Sequence, residues 1–288
     1  MKHFLVRYKF SLILFVIFLS IAIVLSLTLH KIFYLFNFGY IGIALSIGIA
    51  LYENKVKHAR VFVEIAVGLY LLVGVGLLGH ENLQIEGFWY FLFLGVFSGA
   101  TIHYAIAKIL GPFVFGRGWC GYACWTAMIL DLLPYKQPVN PRKRYGRIRI
   151  MLLVGSFVLV AALMAAQVPN LENLMFLFFI VGNVLYYAIG IALAFALKDN
   201  RAFCKYVCPI AILMKPGAYC SLMRITCDEE KCISCNKCRK ICPMNVDMLD
   251  FRRSRMNGTE CILCLECVNT CPNNALDLRI TIGNKRQA

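Results

Sequence analysis

Six apolar stretches, at residues 10–29, 33–52, 61–79, 87–109, 148–168 and 174–197, are each long enough to cross a bilayer. A spanning helix needs about 20 such residues to traverse a hydrocarbon core of about 30 Å. No water reaches the backbone there, so each stretch must satisfy its own N–H and C=O groups, which confines it to a helix. The feature sets the class as a polytopic α-helical membrane protein. Composition agrees, with 60% hydrophobic and 16% charged residues, against about 25% charged in ordinary soluble domains. The first stretch follows Lys2, Arg7 and Lys9 and resembles a signal peptide. It outruns the about 7–15 residues of a signal core, and no small-residue cleavage site follows. It is read as a retained span.

The formal net charge of +15 is unevenly placed. Residues 1–217 carry 19 Lys and Arg against 7 Asp and Glu, and residues 218–288 carry 11 against 8. The excess lies between the apolar stretches, where topology explains it better than nucleic acid does. One face takes Lys2, Arg7 and Lys9, then Lys55, Lys57 and Arg60, then Arg117, Lys136 and the run Arg142 to Arg149, and finally Lys198, Arg201 and Lys205. The opposite face shows His30-Lys31, the stretch from His80 to Glu86, and residues 169–173. Positive loops mark the cytoplasmic side. The expectation is a multi-pass protein of the inner (cytoplasmic) membrane with both termini inside. The basic run Pro141 to Tyr145 is assigned to topology and lipid headgroups, not to nucleic acid.

Beyond the last span, Cys232, Cys235, Cys238 and Cys242 form C-x2-C-x2-C-x3-C followed by Pro243. Cys261, Cys264, Cys267 and Cys271 repeat the pattern 29 residues later, followed by Pro272. This is the run of two-cluster bacterial ferredoxins, in which the fourth cysteine of each copy serves the other cluster. One [4Fe–4S] cluster is therefore expected on Cys232, Cys235, Cys238 and Cys271, and a second on Cys261, Cys264, Cys267 and Cys242. Structural zinc, which also uses C-x2-C pairs, needs two pairs and no interleaved sets of four. Residues 218–288 are read as a cytoplasmic α+β two-cluster ferredoxin-like domain, and residues 1–217 as the transmembrane domain.

A second repeat lies at the membrane edge. Arg117-Gly118-Trp119-Cys120-Gly121-Tyr122-Ala123-Cys124 parallels Arg201-Ala202-Phe203-Cys204-Lys205-Tyr206-Val207-Cys208. Each copy ends a two-span hairpin, which suggests a pseudo-two-fold axis along the membrane normal. On a helix, positions i and i+4 share a face, so each pair presents two sulfurs together. Three readings stand open: convergence of Cys120, Cys124, Cys204 and Cys208 on a third metal or iron–sulfur centre, redox-active dithiols, or packing thiols. Arg117 and Arg201 are expected to lower the thiol pKa values. Cys220 and Cys227 fall outside both patterns and are read as structural.

Ionisable residues inside spans are functional candidates by default. His103, with Lys108 about a turn away, is a candidate quinone-binding group, against the alternative of a histidine satisfied by a neighbouring helix. Glu64 is expected to snorkel or to pair with a basic loop residue.

With Gly116–Trp125 (GRGWCGYACW), Arg201–Pro209 (RAFCKYVCP) and the tandem CxxCxxCxxxCP together, the chain resembles the NapH/NosR/YccM-like membrane polyferredoxins over residues 87–288. The resemblance implies a quinol-linked or ferredoxin-linked electron-transfer subunit, working with redox partner proteins or other subunits of a complex and with the quinone pool. That would make it an electron carrier or a quinol dehydrogenase component. The alternative is a membrane reductase or maturation factor that uses the membrane-edge pairs to reduce a metal ion or a thiol. Many members carry proline after both membrane pairs, whereas Trp125 follows Cys124 here.

Overall fold

The computed structural model describes residues 8–54, 56, 58–248 and 258–280. Lys2, Arg7, Lys55 and Lys57, used above for topology, lie outside the described residues.

Helix α1 (Lys9–Leu29) ends at His30 in a left-handed conformation, and α2 (Phe33–Glu53) packs back along it. Few polar groups interrupt this hairpin. Ser11 Oγ donates to the Ser46 carbonyl at 2.6 Å, the expected behaviour of a hydroxyl with no water in reach. Helix α3 (Ala59–Leu69) continues as a π-helical stretch, Tyr70–Leu77.

The stretch expected as one straight span at 87–109 is broken. Helix α4 (Ile85–Leu94) ends at Gly95, whose φ of 67° closes the helix in the left-handed region that glycine adopts without steric cost. The chain then turns by 112° into Gly99–Phe115, made of α5 (Gly99–His103), a π-helical stretch Tyr104–Leu110 and α6 (Gly111–Phe115). Ser98 caps α5 by accepting from the Thr101 N–H. The Glu81 carboxylate accepts from the Gly99 and Ala100 N–H groups at 3.1 and 2.7 Å. These side chains satisfy donors that a helix start leaves free, so the break is a built feature. Short α7 (Trp119–Tyr122) and α8 (Trp125–Leu130) follow, then the long α9 (Ile148–Ala165) and α10 (Leu171–Leu197). Among the described residues, five helices are long and apolar enough to cross a membrane, or six if the bent pair counts as one span. The chain is therefore mostly helical and membrane-associated.

Helices α11 (Ala202–Tyr206), α12 (Ile210–Leu213) and α13 (Lys215–Tyr219) form a layer of short pieces with α6, which packs on α13, and with α7, whose Cys120 meets Met214. The C-terminal region rests on this layer. Strand β1 (Met223–Cys227), α14 (Lys237–Ile241), α15 (Glu266–Thr270) and β2 (Leu276–Ile280) form a ferredoxin-like α+β unit. The strands pair antiparallel, with Met223 opposite Ile280 and Cys227 opposite Leu276. Ile225, Met244, Val246, Met248, Ile262 and Leu276 are among its buried apolar residues. A core this small carries little stability by itself.

Candidate iron–sulfur sites and the membrane-edge cysteines

The chain reversals around the eight C-terminal cysteines use a backbone conformation that L-residues avoid. Ser234, Asn236 and Asn245 have φ of 51°, 60° and 52°, and Leu263, Leu265 and Asn274, each 29 positions on, have 53°, 62° and 50°. A left-handed residue costs roughly 1–2 kcal/mol, and such strain persists where surrounding structure demands it. Six left-handed residues at matched positions curl each C-x2-C-x2-C loop in the same way.

Two cavities result. One is lined by Cys232, Cys235, Cys238 and Cys271, together with Cys227, Ile233 and Leu276. The other is lined by Cys261, Cys264, Cys267 and Cys242, with Ile225, Met248 and Ile262. Each cavity thus takes three cysteines from one copy and the fourth from the other. Matching N–H groups point at the exchanged sulfurs, Val246 to Cys242 at 3.3 Å and Ala275 to Cys271 at 3.2 Å. Among the described residues no three Cys, His, Asp or Glu side chains close on single-ion geometry. The thiols stand around a space instead of a point. An all-thiol donor set in an apolar cavity with N–H groups aimed at sulfur fits a [4Fe–4S] cluster better than zinc.

The membrane-edge pairs do not share one helix face, as their spacing suggested. Ala123 leaves helical geometry at φ −144°, and Cys124 is extended and precedes α8. Cys208 likewise falls between α11 and α12, with Pro209 next. The two copies break alike although only one carries the proline.

The structure brings the two pairs together. Cys204 lies within electrostatic reach of Cys208, Cys124 and Cys120, and Cys120 Sγ lies 3.7 Å from Met214 Sδ. Lys108, 2% exposed, sits 5.1 Å from the Trp119 ring centroid. The groups acting most on its ammonium are Cys120, Cys124, Cys208 and Arg117.

Arg201 lowers the Cys204 thiol pKa and Arg117 that of Cys208, as expected, but burial outweighs both: it raises Cys204 and Cys208 and pushes Cys124 up to about 12. Both guanidiniums are also paired with carboxylates. Arg201, fully buried, holds Asp131 at 2.5 and 2.6 Å and Glu64 at 3.1 Å. Arg60 joins the same group, 3.0 Å from Glu64 and 2.7 Å from Asp131, so Glu64 is paired and does not snorkel. Burial alone would raise Asp131, but Arg201 and Arg60 hold it well below the usual carboxylate range.

Arg117 pairs with Glu260 of the C-terminal unit, which also meets Arg149 at 3.0 Å, Arg142 at 3.1 Å and Lys215 at 3.3 Å. Lys205 bridges Asp199, at 2.7 Å, to Asn245 beside Cys242. The backbones also meet. A Cβ on Gly121 would lie 2.5 Å from the Ile262 carbonyl oxygen, and Tyr122 Oη donates to the Leu263 carbonyl at 3.0 Å. The loop carrying Cys120 and Cys124 thus packs directly against the loop carrying Cys261 and Cys264.

His103 is buried, its ring 5.1 Å from Trp119 and 6.2 Å from Trp125. Its Nε2, the Tyr104 hydroxyl and Trp119 Nε1 are buried with no hydrogen-bond partner among the described residues. The sequence reading passed over Tyr104, Lys108 as a partner of the thiols, and Glu260. It also missed Cys227, read as structural yet found in a thiol-lined cavity. Only the odd cysteine count near the first motif hinted at this.

Comparison with known proteins agrees with this arrangement. A family model for a 4Fe-4S dicluster domain matches residues 231–276, and one for a 4Fe-4S binding domain matches residues 102–139 and 182–221. The latter segments contain the two membrane-edge cysteine pairs. An uncharacterised protein of Methanocaldococcus jannaschii is 27% identical over 175 residues, 58% of this chain and 68% of that protein. YccM of Escherichia coli, whose name gives it as a candidate electron transport protein, is 31% identical over 172 residues, 51% of this chain and 48% of YccM. No solved structure matches. The domain matches support two [4Fe–4S] clusters, and together with the similarity to YccM they support iron–sulfur electron transfer.

Proposed function

We propose that this chain passes electrons between a membrane redox partner, with the quinone pool as its chemical class, and a soluble or complex-bound partner. The observation that carries this reading is the packed seam in which Gly121 and Tyr122 touch Ile262 and Leu263. It sets the membrane-edge thiols beside the cavity of Cys261, Cys264, Cys267 and Cys242. When bound, [4Fe–4S] clusters supply one-electron centres. Cys232, Cys235, Cys238 and Cys271 would hold one and Cys261, Cys264, Cys267 and Cys242 the other, within a domain formed by residues 218–288.

Cys120, Cys124, Cys204 and Cys208 would hold a third iron–sulfur centre. Their mutual proximity supports this, as do the buried Lys108 and Arg117, whose positive charge suits an anionic group. His103, Tyr104 and Trp119, with their unpartnered polar atoms, form a setting suited to a quinone carbonyl. At the outer cavity Cys235 is exposed and Ile233 is 60% exposed, which suits exchange with a soluble partner. The basic residues grouped at this end of the bundle support a cytoplasmic placement.

The test is a full-chain variant with Cys120, Cys124, Cys204 and Cys208 all changed to Ser. Iron content and quinol-driven reduction of the C-terminal clusters are the readouts. The expected result is loss of one cluster's iron and of quinol-driven reduction, while dithionite still reduces the remaining clusters. Unchanged iron and unchanged quinol-driven reduction would overturn the reading. Quinol-driven reduction retained with normal cofactor insertion lost in a partner would favour a maturation role.

A further inference from the structure

Neither fourfold ligand set includes Cys227, yet it lines the cavity of Cys232, Cys235, Cys238 and Cys271. Strand β1 puts it there, opposite Leu276 of β2, another lining residue. Its sulfur is within hydrogen-bonding reach of the Cys232 sulfur and faces Cys238 and Cys271 electrostatically. Its other acceptor is the Asp228 carbonyl at 3.9 Å, a long contact. Among the described residues the second cavity has four lining cysteines and no fifth, and the position 29 residues after Cys227 is Met256. The extra thiol therefore belongs to one site and not to the repeated framework.

We infer that Cys227 is a fifth thiol of this site, donating its S–H to the Cys232 sulfur and replacing Cys232 as ligand when that cysteine is lost. The inference rests on the assignment of Cys232, Cys235, Cys238 and Cys271 as cluster ligands. In a chain lacking Cys232, Cys227 would give its proton to water and its thiolate would take the iron position left open, with no change of oxidation state and no oxidant needed. A spare thiol protects the more exposed of the two sites against loss of an iron corner. Its hydrogen bond also tunes the potential, because bonds to cluster sulfurs stabilise the reduced, more negative state.

The test uses the full chain purified without oxygen, with iron and sulfide content and paramagnetic resonance of oxidised and reduced samples. Cys232→Ala should keep the wild-type iron complement with an altered signal. Cys235→Ala should lose iron or show an oxidised three-iron signal. The double variant Cys227→Ala/Cys232→Ala should behave like Cys235→Ala. Cys227→Ala alone should keep its iron but shift one cluster potential to more negative values, and Cys227→Ser should restore part of that shift. Iron loss in Cys232→Ala equal to that in Cys235→Ala would overturn the reserve role while leaving the ligand assignment standing. Full iron in Cys235→Ala would sink the assignment itself and this inference with it. An unshifted potential in Cys227→Ala would remove the hydrogen bond.

Discussion

Arg201 Nη1 donates to the carbonyl oxygen of Cys120 at 2.7 Å, so the arginine of the second cysteine repeat holds the first cysteine of the first repeat. The same guanidinium holds Glu64 on α3 and Asp131 after α8. A single planar group thus ties two helices and both copies of the motif together, and lysine cannot reproduce its fork of donors.

Replacing Arg201 by Leu leaves Glu64 and Asp131 sharing only Arg60 in a buried setting. Breaking a buried ion pair by removing one partner costs about 3–5 kcal/mol. Arg201→Leu is expected to lower the thermal midpoint of the detergent-solubilised protein sharply. Arg201→Lys should recover only part of the loss.

Gly121 meets the Ile262 carbonyl with no room for a methyl group. Gly121→Ala should force the two cysteine loops apart at a cost of about 1–3 kcal/mol. Stopped-flow reduction should show slower communication between the membrane edge and the C-terminal clusters, with iron content preserved. An unchanged rate would show that the seam is not the route.

Burial alone would raise the Glu260 carboxyl, but Arg117, Arg149 and Arg142 hold it well below the usual range. A carboxylate with a depressed folded-state pKa stabilises the fold fully above its unfolded value of about 4.3, and that contribution fades as pH falls toward the folded value. Docking of the C-terminal domain should therefore hold from neutral pH to about pH 4 and weaken below it. Glu260→Gln should raise amide exchange across residues 261–265 at neutral pH and flatten the acid-side dependence.

Cys242 belongs by position to the first motif copy but lines the second cavity. Cys242→Ala and Cys261→Ala are expected to remove the same spectroscopic signal, and Cys271→Ala the other one. Cys242→Ala matching Cys238→Ala instead would mean uncrossed ligation.

Ser234 is exposed and left-handed, with φ of 51°. Ser234→Val places a β-branched side chain where it clashes with its own backbone, a cost of about 1–2 kcal/mol. Ser234→Gly should be tolerated. The rate of cluster loss on dilution should rise for the first variant and not for the second.

Much of the architecture was legible because it rests on local regularities. Apolar length marks a helix able to cross lipid, and five long spans lie close to their expected positions. The stretch at 87–109 broke the reading, because Gly95 and the cap from Ser98 depend on Glu81 folding back onto residues 99 and 100. The membrane-edge pairs were visible as a repeat, but their placement on one helix face was not correct. The helix ends at Ala123 before the second cysteine arrives.

What the sequence by itself determined is the stock of groups: eight thiols in two interleaved motifs, four more at a membrane edge, and apolar runs long enough to cross lipid. These follow from covalent spacing and chain composition. Only the tertiary structure decided which charges meet, since Arg201 and Glu64 are 137 residues apart and Arg117 and Glu260 are 143 apart. It also turned Cys227 from a presumed packing thiol into a cavity wall, because strand pairing with β2 carries it there. Side-chain burial and partner choice are set by the whole packed chain, and no local window contains them.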